Sequence, residues 1–170
     1  IAAHVPFAEP FCPDLSKLLH ETAVPIVNRV HLGGTLVTIE GPAFSTRGES
    51  KLFQQWGCDI IGMTTFHEAK LAREAEICYA ALAMVTDYDC WKDDFADEVT
   101  VETVVSNMKK NSSKAKTIIS QVLPLIAGNR SCKCTKSLDG AIMTSPESIS
   151  EKTRKRLALL LNGRLDHDRS

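Results

Sequence analysis

Apolar positions return along the chain in two rhythms. Short uncharged runs bounded by glycine, proline or acids alternate with longer stretches in which apolar residues recur every three or four positions. The first rhythm fits strands covered on both faces, the second helices with one buried stripe. Leu15, Leu18, Leu19 and Ala23 predict a first helix, capped by Asp14 or Ser16 and stopped by Pro25, after an extended connection through Pro6, Pro10 and Pro13. Leu52, Phe53 and Trp56 mark an apolar face on a second, which Ser45 or Thr46 caps, Glu49 supports electrostatically and Gly57 ends. A third runs from about Glu68 to Ala75. The longest carries Val101, Val104, Val105, Met108, Ala115, Ile118, Ile119 and Val122, with Thr100 as its cap, Pro124 at its end and Lys109, Lys110, Lys114 and Lys116 on solvated faces. A last helix starts at Ser150 and Glu151, carries Leu157, Leu159, Leu160 and Leu161, and stops at Asn162-Gly163.

The strand-like runs are Val24 to Val30 and Thr35 to Ile39, joined by a turn at Gly33-Gly34, then Asp59 to Thr65, then Cys78 to Val85. Strands alternating with helices predict an α/β fold with a mixed central β-sheet flanked by helices. Composition adds that 170 residues at 44% apolar content suit a single domain, read here as residues 1–165 followed by a tail at 166–170. Twenty basic against 21 acidic residues leave no field to recruit nucleic acid or an anionic membrane. No apolar stretch has transmembrane length and no leader is visible, so a cytoplasmic protein is expected. The chain opens at Ile1 within an extended run, which reads as a fragment or a processed chain.

Six cysteines are scattered through apolar surroundings and read as free thiols in a reducing compartment. Cys132 and Cys134 form one close pair with no second pair at zinc-finger spacing, and the histidines do not cluster with it, so no metal site is expected.

Chemistry concentrates where apolar runs end in polar residues. Cys78 to Val85 gives way to Thr86, Asp87 and Asp89 around Tyr88, and Asp59 to Gly62 gives way to Met63, Thr64 and Thr65. In open α/β sheets, ligands bind beyond such carboxyl ends. Asp87 as a turn former and Asp89 as a helix cap is the plainer alternative. Upstream, the loop Glu40-Gly41-Pro42-Ala43-Phe44-Ser45 offers an aromatic ring to stack on a planar ligand beside a hydroxyl, unless Phe44 plugs the core.

Taken together, Glu40-Gly41-Pro42-Ala43-Phe44-Ser45, Gly62-Met63-Thr64-Thr65 and Ala83-Met84-Val85-Thr86-Asp87-Tyr88-Asp89-Cys90-Trp91-Lys92 closely resemble 5'-methylthioadenosine phosphorylases, of the trimer-forming purine nucleoside phosphorylase branch. The resemblance runs from about His4 to Val122. It implies a purine nucleoside phosphorylase-like fold and a phosphorolysis in which inorganic phosphate, as co-substrate, attacks C1' of the ribose and adenine leaves. No other cofactor and no metal are implied. By the same resemblance Phe44 stacks on the purine, while Ser45, Asp87 and Asp89 read its edge. Thr86 shapes the base pocket, Met63 touches the ribose and Thr64 contacts phosphate. His4 would reach across a subunit boundary into a neighbour's site, in a trimer or a pair of trimers. Asp87 is the candidate catalytic acid: a neutral carboxyl donating to the departing purine stabilises the charge that builds there, and burial is what would keep it neutral.

The same comparison bears on specificity. Phosphorylases for 6-oxopurines carry glutamate where Ser45 stands, asparagine where Asp87 stands and histidine where Val101 stands. Serine and aspartate suit a 6-amino group, whose protons need acceptors. Val101, Val104 and Val105 suit a methylthio group. A 6-oxopurine or broad-specificity phosphorylase and a non-catalytic purine-binding module are the alternatives. Ala43, Gly48 and Phe66-His67 depart from the family pattern, and the family's glycine-containing phosphate loop precedes the region covered. Cys132 and Cys134 would, by resemblance to heat-stable relatives, form a close disulfide.

Overall fold

A computed structural model describes residues 1–92, 101–126, 128, 130–161 and 164, with the side chains of Val101 and Thr103 outside that description. Its helices are α1 (Pro13–Ala23), α2 (Arg47–Gln55), α3 (Thr65–Glu74), α4 (Val101–Val122) and α5 (Glu151–Leu161), and its strands are β1 (Leu36–Thr38) and β2 (Ile60–Gly62).

Tight turns cannot join parallel strands, so two successive strands that pair in parallel need a long crossover connection, usually a helix. Here α2 is that crossover. β1 pairs with β2 in parallel, Leu36 opposite Ile60 and Thr38 opposite Gly62. Both strands therefore release their chains at the same edge. The sequence pattern found both strands but assigned β1 the wrong neighbour.

That neighbour, Val24 to Val30, is not a strand. The amides of Ile26 and Val27 both donate to the carbonyl of Ala23, at 2.9 and 3.0 Å, folding the run back over the end of α1. Ile26, Val27 and Val30 pack there against a buried cluster of Ala23, Ile118 and Val122, together with Leu15, Leu18 and Leu19. The β-branched residues obtain their burial from the α1–α4 contact instead of from a ladder.

Cys78 to Val85 also lacks a ladder among the described residues. Its backbone is satisfied piecemeal: the Cys12 amide donates to the Tyr79 carbonyl at 2.7 Å, and the Asn111 side-chain amide donates to the Val85 carbonyl at 2.9 Å. Leu82 reaches the α1–α4 cluster, while Met84 and Val85 are exposed. An uncharged run meets the sequence criteria of a strand, yet pairing needs a neighbouring edge at the right distance. The mixed sheet read from the sequence is represented among the described residues by one parallel pair.

Helix boundaries follow local chemistry. Thr46 caps α2 in a reciprocal box, its hydroxyl accepting from the Glu49 amide at 3.3 Å while the Glu49 carboxylate accepts from the Thr46 amide at 2.7 Å. The Thr46 amide first, and then the Thr46 hydroxyl, which donates to the same carboxylate at 2.8 Å, hold the Glu49 carboxyl below its usual range. Gly57 then sits at φ +76°, where a side chain is strained. At α1 the cap is Cys12, and Pro13 occupies the first turn where its missing N–H costs nothing; neither Asp14 nor Ser16 caps it. The third helix begins at Thr65, earlier than the sequence reading placed it. Ser150 caps α5, its hydroxyl accepting from the Thr153 amide at 3.3 Å. The Thr100 cap, the Asn162-Gly163 stop and the 166–170 tail lie outside the described residues.

On α2 the buried side is not the predicted one: Ser50 is 1% exposed, whereas Leu52 and Trp56 face solvent. The amino-terminal residues pair with a distant segment, the Met143 amide donating to the Ala2 carbonyl at 2.9 Å and the His4 amide to the Ala141 carbonyl at 2.8 Å. None of the described helices is long and apolar enough to cross a membrane.

Ile118, 3% exposed at the α1–α4 contact, is expected to cost about 2–5 kcal/mol when replaced in Ile118→Ala. Leu159→Ala, at a position 92% exposed on α5, should leave stability within about 0.5 kcal/mol. Urea unfolding of both variants beside the parent checks the contrast.

Candidate active site

Parallel pairing brings the chain leaving β1 alongside the chain leaving β2. The Ile39 amide donates to the Gly62 carbonyl at 2.9 Å, prolonging the contact beyond the strands. Gly41, at φ +68°, then turns the loop directly over Met63: a Cβ there would lie 2.8 Å from the Met63 Sδ. Only glycine meets both demands without strain. The loop continues through a cis Gly41-Pro42 bond to Phe44 and Ser45.

The third segment arrives at the same place through a carboxylate. Asp89 accepts from the Ser50 hydroxyl at 2.5 Å, from the Ser45 hydroxyl at 3.4 Å and from the Cys90 amide at 2.8 Å. Ser50 is buried on α2, so Asp89 ties the segment after Val85 to both the β1 loop and the crossover helix. The Cys90 thiol completes the junction by donating to the Ser45 carbonyl at 3.5 Å. Asp87, two residues away, is differently placed. It is exposed and its carboxylate accepts a hydrogen bond from the Thr86 hydroxyl. The burial invoked to keep Asp87 neutral is therefore not provided by the described residues. An acid on a rim keeps its solvation until something covers it.

From the other side, α4 holds the backbone of this segment. Its Asn107 and Asn111 donate to the carbonyls of Thr86 and Val85, at 3.0 and 2.9 Å. Tyr88 and Trp91 pack edge to face with centroids 6.1 Å apart, and the Lys92 ammonium lies 4.6 Å from the Tyr88 ring centre.

The structure thus brings Asp89 to Ser45, with Thr86 and Asp87 just before it in its own segment, and sets Met63 under the Gly41 turn of the loop that carries Ser45. Phe44 sits beside Ser45 with 87% of its surface exposed, so it does not plug the core. Thr64 is the exposed first residue before α3, and its hydroxyl helps hold the Glu68 carboxyl below its ordinary range, after the stronger bond from Tyr79. Val104 is half-buried and Val105 exposed on the first turns of α4, whereas the Val101 side chain lies outside the described residues. His4 is exposed on the segment pinned to Ala141. A concavity of about 600 Å³ lies elsewhere, between Leu18 and Thr22 of α1 and Gln121 of α4, and its lining includes none of the sequence candidates.

Sequence reasoning missed Ser50, Asn107 and Asn111. Ser50 falls three residues before Phe53, so it shares that helix face and signals a polar anchor within it. Asn107 and Asn111 are spaced four apart, one turn, which is the signal that two amides serve one strand-like backbone.

Residues 2–124 match the model of the phosphorylase superfamily. A curated S-methyl-5'-thioadenosine phosphorylase from Gloeobacter violaceus is 47% identical over 166 residues, 95% of this chain and 55% of the relative. One from Geobacter sulfurreducens is 45% identical over 161 residues, 95% of this chain and 56% of the relative. The chain spans about half the length of the curated relatives it matches. Among solved structures, a methylthioadenosine phosphorylase from an antarctic soil metagenomic library superposes with a TM-score of 0.85 at 41% identity, over 94% of this chain and 57% of that one. A variant adenosine/methylthioadenosine phosphorylase from Schistosoma mansoni, in complex with methylthioadenosine, gives 0.68 at 31% identity, over 97% of this chain and 55% of that one.

Ser50→Ala removes the shortest bond to Asp89 and should cost about 1–3 kcal/mol, because a half-buried carboxylate loses a donor. Gly41→Ala should cost about 1–2 kcal/mol through the left-handed backbone, with Met63 displaced as well. Denaturant midpoints measure both. A Gly41→Ala protein as stable as the parent would show that the loop conformation is not required.

Proposed function

The chain belongs to the phosphorylase superfamily, and from that premise we propose that the protein it forms cleaves 5'-methylthioadenosine with inorganic phosphate, releasing adenine and 5-methylthioribose 1-phosphate. The observation that carries this reading is the junction of Ser45 and Asp89 beside an exposed Asp87, at the edge where two parallel strands end.

In this reading Phe44 stacks on the purine and Ser45 faces its edge, with Asp89 orienting the Ser45 hydroxyl from behind. Because Ser50 and the Cys90 amide already occupy Asp89, its part is positioning more than direct proton transfer. Asp87 is the acid aimed at the leaving base. The bound nucleobase, lying over the rim, supplies the desolvation that the chain by itself does not, and a carboxyl so covered holds its proton long enough to donate it. Donation to the purine as the glycosidic bond breaks favours the transition state over the bound substrate. Thr86, its hydroxyl on Asp87, sets the orientation of that acid.

Met63, pressed under the Gly41 turn, forms the floor beneath the ribose, and Thr64 stands at the start of α3, where the helix amides favour an anion such as phosphate. Val101, Val104 and Val105 line the 5' end for a methylthio group. His4, exposed on its own segment, reaches a neighbouring subunit's 5' pocket in a homotrimer or a pair of trimers. The protein works in the cytoplasm, with a nucleoside and phosphate as its small-molecule partners and without nucleic acid or membrane.

Adenine release from methylthioadenosine, followed chromatographically, should require phosphate. Asp87→Asn should lower the turnover rate by about a hundredfold or more while leaving the fold intact. Full activity of Asp87→Asn across the pH range would remove Asp87 from the mechanism. Val101→His should raise the adenosine to methylthioadenosine ratio of kcat/KM, and an unchanged ratio would separate Val101 from the 5' pocket.

A further inference from the structure

Four of the six cysteines meet at one point. Cys12 caps α1, Cys78 follows α3, and Cys132 and Cys134 flank Lys133 at a short 3-10 turn spanning Lys133–Lys136. Their sulfur atoms all lie within 4.8 Å of one another, with Cys78 and Cys132 at 3.3 Å. All six cysteines of the chain are free thiols, and a disulfide bond would bring two sulfurs to about 2.05 Å. A tetrahedral zinc thiolate centre has metal–sulfur bonds of about 2.3 Å, which sets sulfur–sulfur edges near 3.8 Å. The observed spacings bracket that edge.

The surroundings suit a cation held by thiolates. Cys12 and Cys134 are buried, at 1% and 4% exposure, and Cys78 and Cys132 are half-buried. The Cys132 sulfur accepts a hydrogen bond from the Cys134 amide. An amide donating to a cysteine sulfur is the outer contact that metal thiolates employ. The Arg130 guanidinium, 3.7 Å from the Cys78 sulfur and bonded to the Glu76 carbonyl at 3.1 Å, offsets the excess negative charge that four thiolates place around a dication.

We propose that Cys12, Cys78, Cys132 and Cys134 form a structural zinc site that fastens the start of α1, the segment after α3 and the 132–134 turn to one another. Each thiol gives its proton to solvent as the cation binds, and no electron transfer is involved. Tetrahedral sulfur donors of this kind select zinc over harder divalent cations. The site is closed, with four protein ligands and no open position, so its role is to hold structure and not to activate water.

The test uses the full chain, expressed with zinc in the medium and purified under reductant without chelator. Elemental analysis should find about one zinc per chain, released by a mercurial that titrates the thiols. Cobalt added to the metal-stripped protein should give the intense visible bands of tetrahedral thiolate coordination, a readout independent of enzymatic activity. Cys58→Ser and Cys90→Ser should retain the metal, whereas Cys132→Ser combined with Cys134→Ser should lose it. A metal-free protein whose intact mass is about 4 Da below the fully reduced value would overturn the proposal in favour of two disulfides. A metal-free protein with every thiol reactive, and no cobalt bands in the parent, would overturn it equally.

Discussion

The parallel contact between β1 and β2 is the constraint on which the remaining geometry depends. It forces α2 to cross between the strands and makes both chains leave at one edge, so that the Gly41 turn lies over Met63 and Ser45 comes to stand near Asp89. Had β1 paired with the preceding β-branched run in a tight hairpin, the loop from Gly41 to Ser45 would have lost its neighbour. A short ladder has large consequences because it fixes direction as well as proximity.

Two carboxylates separated by one residue are thereby given different environments. Asp89 accepts from two serine hydroxyls and an amide, which anchor it. Asp87 stands on the rim with a hydroxyl against it and the rest of its surface turned outward. One acid is held by the fold and the other is exposed. The division follows from α2, whose buried Ser50 reaches one carboxylate and not the other, and from α4, whose two asparagines hold the intervening backbone in place of a sheet.

The thiol cluster obeys the same logic. Cys12, Cys78 and the 132–134 pair are separated by more than fifty residues at each step. Spacing along the chain gave no reason to expect a metal site, because only one close pair is visible there. The fold supplies the second pair from two distant segments, the cap of α1 and the chain beyond α3.

What the sequence determined by itself is local: the five helices, with the Thr46–Glu49 box and Gly57 marking α2, the two short strands, and the three polar motifs that carry the family resemblance. These are written in capping chemistry and in helical or strand periodicity, which act over a few residues. Tertiary structure alone decided that Val24 to Val30 folds onto the α1–α4 core, that Cys78 to Val85 runs without a ladder, that Ser50 and not Leu52 or Trp56 turns inward on α2, and that four cysteines converge. An apolar run states only that burial is needed. Whether a ladder, a helix face or a cluster of side chains provides it depends on which partners the rest of the chain brings within reach.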